Sequence, residues 1–208
     1  GAGLNPTQIA ASVMIGLTVW FAFEAYETAP VGHIPDDVEG KLKVQDSEVV
    51  GAGLGLFAGA DMPEGTLLGS YPGRRWSQQM WLSKKAGGDT KKQDKARTYV
   101  WVMDEGNEGM VIDPTNGDGE LEANAAWELG PLRLPLDNVK TTLCRINEPP
   151  RGSDVNVVAD YIDGEVIFSV ERPVKAGEEL YIDYGPMYDR KDYGGPTNSY
   201  GWLTYPDE

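Results

Sequence analysis

Arg145-Ile146-Asn147-Glu148 and, further on, Gly177-Glu178-Glu179-Leu180-Tyr181-Ile182-Asp183-Tyr184-Gly185 are the stretches on which the reading of this chain turns. The second reads as a turn followed by a strand that ends on a tyrosine and a glycine. Glycine there allows a sharp bend or a close backbone approach. A tyrosine before such a bend is ordinarily a packing residue. Between the two stretches lies a strand-rich segment of the length one β-hairpin needs.

Working outward, Gly51-Ala52-Gly53-Leu54-Gly55-Leu56-Phe57-Ala58 precedes both, followed by Asp61-Met62-Pro63-Glu64-Gly65 and Tyr71-Pro72-Gly73. Residues 98–103, TYVWVM, carry the β-branched and aromatic side chains of a strand. Met110 to Asp113 is expected to pair back on it as a hairpin. Residues 155–159 and 165–170 read as two strands around an Asp163-Gly164 turn. Residues 76–98 form an insertion, with a short helix expected over 76–82. Another short helix is expected over 122–128.

These segments, in this order, resemble the SET domain, the fold of protein-lysine methyltransferases that use S-adenosylmethionine. The resemblance covers residues 47–190. It implies a mainly β fold with short helices and a C-terminal pseudo-knot, in which the last strand threads a loop made by the asparagine segment. It also implies roles. Gly53, Leu54 and Gly55 would let the backbone approach the cofactor. Asn147 and Glu148 would contact its adenine-methionine body. Tyr184 would set its hydroxyl beside the transferring methyl group. The family usually reads Asn-His where this chain has Asn147-Glu148, followed by Pro149-Pro150. Asn156 is a candidate for a second family asparagine.

The chain has 208 residues, 40% of them hydrophobic and 25% charged, as a globular protein does. Its 18 Lys+Arg against 33 Asp+Glu leave a formal charge of -15. Such a surface repels phosphate backbones, so nucleic acid is not an expected partner. It suits a basic partner such as a lysine-bearing protein substrate, or it is simply a solvated acidic face. The single cysteine, Cys144, allows no internal disulfide, and a zinc cluster of the usual Cys/His type lacks its ligands. His33 is the only histidine, so a histidine general base has little to stand on.

The N-terminal end differs from the rest. Residues 9–23, IAASVMIGLTVWFAF, are apolar on every side, with no polar stripe. At 1.5 Å per residue the run covers about 22 Å, short of the ~30 Å hydrocarbon core, and extension over residues 7–26 supplies the missing length. Three readings stand: a single transmembrane helix, a helix buried against a partner protein, or a signal segment without its basic flank. Residues 1–28 are taken as the membrane-anchoring helix, 29–46 as linker, and 191–208 as an aromatic tail.

Two functions are carried forward. One is a membrane-anchored protein-lysine methyltransferase. The other is a non-catalytic accessory subunit of a large organellar membrane complex, with a photosynthetic supercomplex of the chloroplast thylakoid favoured. The cationic residues Lys84, Lys85, Lys91, Lys92, Lys95 and Arg97 of the insertion are either a solvated loop or a patch that docks anionic lipid or an acidic partner.

Overall fold

The longest strand, β4 (Leu67–Ser77), carries partners along its whole length. The structure is a computed structural model that describes residues 13–18, 30–103, 109–125, 139–150 and 152–185. The first half of β4 pairs antiparallel with β8 (Glu165–Val170), and its second half pairs with β6 (Met110–Asp113). β1 (Val31–His33) also lies on β4, with Val31 opposite Gly73 and His33 opposite Ser70. β5 (Trp101–Val102) and β7 (Val157–Ile162) form the two edges, giving the order β5-β6-β4-β8-β7. β2 (Leu42–Asp46) and β3 (Leu54–Ala58) form a separate hairpin.

Local chemistry explains these elements. β8 alternates, burying Val166, Phe168 and Val170 while Glu165, Ile167 and Ser169 are half-exposed, the period of two that a strand imposes. Asp163 and Gly164 both take positive φ, 51° and 77°, as a two-residue hairpin turn of the right twist requires. Where β1 crosses β4, a Cβ at Gly69 would land on the carbonyl oxygen of His33, so only glycine lets the strands approach.

Of residues 29–46, expected as linker, those from 31 to 46 carry regular structure. β1 and β2 fall there, with the short helix α1 (Asp36–Glu39) between them. Ile34 and Val38 are buried in the main core. Pro35 caps the start of α1, and Asp36, Asp37 and Glu39 place carboxylates in its first turn, where they oppose the helix dipole.

The insertion holds two helices where one was expected. α2 (Gln78–Lys84) is capped by Ser77, which accepts from Met80 N, and α3 (Thr90–Arg97) by Asp89, which accepts from Lys91 N and Lys92 N. Four of the insertion's six cationic residues pair with carboxylates of the chain. Lys85 is buried on Asp113 at 2.8 Å, Lys92 pairs with Asp118, Lys95 with Glu120 and Arg97 with Asp94. Those four charges are neutralised within the chain. The strand expected over residues 98–103 shrinks to Trp101–Val102, because Tyr99 N still donates to Ala96 O and continues the end of α3. Residues 122–125 are not helical, and Asn124 bridges to Lys140.

Residues 13–18 are helical, with Val13, Met14, Ile15 and Leu17 exposed. Among the described residues no helix is long and apolar enough to cross a membrane. The rest of the expected span and the aromatic tail lie outside the described residues.

The buried pair that ties the insertion to β6 generates a test. Asp113 also accepts from Trp81 Nε1 at 2.7 Å and from the Thr115 hydroxyl at 2.6 Å. Lys85→Met strands that buried carboxylate and is expected to cost about 3 kcal/mol in urea unfolding. Lys91→Met, on the exposed face of α3, is expected to change stability by less than about 0.5 kcal/mol. Equal effects would contradict the anchoring role.

Candidate active site

The final segment brings the two quoted motifs together. After a turn at Gly177, whose φ is 90°, the chain runs beside β3: Gly177 N donates to Ala58 O, Ala58 N to Glu178 O, and Leu180 N to Leu56 O. Its other side meets the asparagine loop. Ile182 N donates to Asn147 O at 3.0 Å, and Asn147 and Tyr181 form a parallel bridge. The far end of that loop holds the same strand, since Val157 N donates to Tyr181 O at 2.9 Å. Asn156, fully buried, imitates a neighbouring strand with its side chain: its Oδ1 accepts from Tyr181 N at 2.7 Å and its Nδ2 donates to Glu179 O at 2.8 Å. Residues 179–182 are therefore gripped from β3 on one side and from both ends of the 147–156 loop on the other.

At this crossing sits Glu179, 1% exposed. Its carboxylate accepts from Ser47 Oγ at 2.7 Å, Glu48 N at 2.8 Å, Tyr181 Oη at 2.9 Å and Asn147 Nδ2 at 3.1 Å. Four donors converge on its two oxygens, as an ionised carboxylate needs. Asn147 also donates from Nδ2 to Ser47 Oγ and Leu54 O, at 3.0 and 3.1 Å. Sequence reasoning quoted Glu179 inside its motif but gave it no role. The available signal was a set of small and polar residues, Ser47, Gly55 and Asn147, with no partner of their own in the sequence.

The expected site residues fall around this hub. Gly53, with φ 74°, faces open space: nothing lies within 4 Å of where its Cβ would be. Leu54 is 40% exposed beside it. Gly55 is different, because a Cβ there would sit on Glu179 Oε1 and press on Asn147 Nδ2. Its glycine is required by the buried carboxylate, whatever binds outside. Glu148 is half-buried, and its Oε1 accepts from Tyr184 N at 3.4 Å.

Tyr184 follows at the end of the segment, with its hydroxyl donating to Ile146 O at 2.9 Å. It lines a cavity of about 590 Å³ together with Tyr71, Trp101, Phe168, Tyr161 and Cys144. Tyr71, Trp101 and Phe168 pack against one another with ring centroids 5.3 to 5.8 Å apart, in tilted and edge-on arrangements. Trp101 Nε1 donates to Tyr161 Oη at 2.9 Å across the two sheet edges. The Tyr71 hydroxyl donates to Tyr99 O at 2.5 Å. Burial, then the neighbouring Cys144, hold its pKa well above the phenol range. Burial likewise pushes the Cys144 thiol up to about 12. This aromatic wall was not assembled from the sequence, where its members are scattered over three strands.

The glycine loop and the 147–148 segment form adjoining walls, and unobstructed Gly51 and Gly53 leave room beside them. The exposed side chain of Glu48 and the half-buried one of Glu148 bring two carboxylates to the same neighbourhood. Among the described residues no group of His, Cys, Asp and Glu could hold a metal ion.

The family model of the SET domain matches residues 53–185, and the chain belongs to that family. The histone-lysine N-methyltransferase set-17 of Caenorhabditis elegans is 24% identical over 147 residues, 71% of this chain and 42% of that protein. An active polycomb repressive complex 2 in the stimulated state superposes with a TM-score of 0.51 at 20% identity, covering 78% of this chain and 17% of that one. The Chaetomium thermophilum complex gives 0.50 at 21% identity, covering 71% and 15%. At that identity the solved structures show the fold. The chain thus spans less than half the length of each of these relatives.

The raised thiol generates a pH test. An ordinary thiol ionises near ~8.5. In the folded chain the value is about 12. A raised folded value contributes stability that is whole below the unfolded pKa and is lost as pH rises through the folded one. Chemical denaturation is expected to show stability falling between about pH 9 and 12, and Cys144→Ala is expected to flatten part of that decline. An unchanged alkaline slope in the variant would contradict the burial of a neutral thiol.

Proposed function

We propose that this chain is an S-adenosylmethionine-dependent protein-lysine methyltransferase. One observation carries the reading. The Tyr184 hydroxyl is fixed on Ile146 O at the wall of an aromatic cavity, and the next residue, Asn147, reaches Leu54 of the glycine run with its side-chain amide. A methyl donor at the glycine run and a lysine in the cavity would meet at that tyrosine. The match to the SET family and the likeness to set-17, named as a histone-lysine N-methyltransferase, support it. The crossing of residues 179–182 with the 147–156 loop supports the pseudo-knot reading of the C-terminal end.

The chemistry follows from the residues. Bound S-adenosylmethionine would supply an electrophilic methyl group on a sulfonium. Gly53, Leu54, Glu148 and the backbone of Asn147 would hold it. The rings of Tyr71, Trp101 and Phe168 would exclude water from the entering lysine, and desolvation favours the neutral amine that attacks. Tyr184, its proton committed to Ile146 O, turns oxygen lone pairs outward, where C–H···O contacts can align a methyl group. No general base is needed for this, which accords with the absence of histidine from the cavity wall.

A second reading has an observation behind it. Glu148 stands where the family usually has histidine and takes the amide of Tyr184, while the Asn147 amide is engaged by Ser47, Leu54 and Glu179. Such a head could bind no cofactor and serve as an accessory subunit of an organellar membrane complex, the thylakoid supercomplex first. The membrane anchor belongs to either reading and is supported by the apolar run at residues 9–23. Carbonate extraction that released the intact chain would remove it.

Calorimetric titration with S-adenosylmethionine separates the two readings: saturable heat is expected for the enzyme and none for the accessory head. Tyr184→Phe is expected to keep cofactor affinity within about threefold and to lower methyl transfer to lysine peptides by at least about 100-fold. Unchanged transfer would overturn the role of Tyr184.

A further inference from the structure

Glu179 is unusual among the charged groups of this chain. It is wholly buried, yet its four partners are neutral: two hydroxyls, a backbone amide and a side-chain amide. The buried carboxylate of Asp113 has Lys85 beside it. Among the described residues no lysine, arginine or histidine pairs with Glu179. Its negative charge is dispersed by hydrogen bonds and left uncancelled.

Its position gives that charge a direction. Glu179 Oε1 lies directly under Gly55, the second residue of β3, where a Cβ would strike it, and the turn leading into that strand leaves open space at Gly51 and Gly53. Asn147 and Ser47, on the adjoining wall, touch the same carboxylate. The face next to this turn is therefore backed by a full negative charge in a region where water cannot screen it, and the exposed Glu48 adds another at its rim. Burial, then the bond to Glu179, then the charges of Glu179 and Glu48 raise the pKa of the Tyr181 phenol.

We propose that Glu179 is a positioning and selectivity residue whose buried charge favours the sulfonium form of the cofactor over the demethylated thioether that remains after transfer. The inference rests on the methyltransferase reading. The two ligands have the same adenine, ribose and amino-acid groups, so hydrogen bonds to those parts serve both equally. They differ by one methyl group and one positive charge at sulfur. A fixed carboxylate behind the binding face acts on that difference. It holds the charged donor and releases the neutral product, which keeps product from accumulating in the site. A merely structural Glu179 would support both ligands alike.

The test compares dissociation constants for S-adenosylmethionine and for its thioether product, by calorimetry, in the full chain and in Glu179→Gln. The glutamine keeps the shape and removes the charge. The ratio of product to cofactor dissociation constants is expected to fall at least fivefold in the variant. Equal weakening of both ligands, or no change, overturns the proposal while leaving the methyltransferase reading intact. Should the unaltered chain bind neither ligand, the methyltransferase reading fails and this inference with it. Where Glu179→Gln does not fold, Tyr181→Phe supplies the second arm. It removes one donor and leaves the charge less dispersed, so the ratio is expected to equal or exceed that of the unaltered chain. A lower ratio there overturns the proposal.

Discussion

A carboxylate buried with only neutral donors around it is costly unless every lone pair is used. Glu179 meets that condition by drawing in Ser47, Glu48, Asn147 and Tyr181. Those residues come from the loop after β2, from the asparagine segment and from the final strand. Their separation along the chain reaches 132 residues, between Ser47 and Glu179. No two of those segments can shift without exposing an acceptor to an apolar interior. The constraint explains why Gly55 carries no side chain and why Asn147 faces inward. It also explains why the last strand is held from both sides, by β3 and by the 147–156 loop.

The site follows from the same geometry. Fixing residues 179–182 fixes Tyr184 two residues later, and Ile146 O then receives its hydroxyl. Asn147 O holds Ile182, so adjacent residues of one loop reach both Tyr184 and the strand that presents it. The cavity walled by Tyr71, Trp101 and Phe168 is lined by Ile146, Ile182 and Tyr184 as well, so the segment that Glu179 anchors forms part of its wall. Alignment, more than acid–base chemistry, is what such a site supplies.

The family and the mainly β architecture were legible in the sequence because their signals are local. Glycines mark turns, the Asp163-Gly164 turn marks the strands beside it, and the paired motifs around Asn147 and Tyr184 occur in order. The Asp163-Gly164 turn and the pairing of residues 110–113 back onto β5 followed from the same cues. The misreadings have physical causes too. Residues 29–46 looked like linker because Pro35 and the acidic pair resemble breakers, whereas β1 is recruited by long-range pairing with a glycine-thinned β4. The ion pairs of the insertion were not legible, because the acidic partners Asp113, Asp118 and Glu120 lie in another part of the chain. Glu179 and the aromatic wall went unassigned for the same reason: a hub made of contacts between distant residues leaves no periodic trace.

The most direct measurement is a crystal structure of the chain grown with saturating S-adenosylmethionine and a lysine peptide. The account predicts the cofactor beside Gly53, Leu54 and Glu148, its methyl group turned toward the Tyr184 hydroxyl, and the lysine side chain running through the cavity between Tyr71, Trp101 and Phe168. A cofactor bound elsewhere, or a lysine that enters without approaching Tyr184, would contradict it.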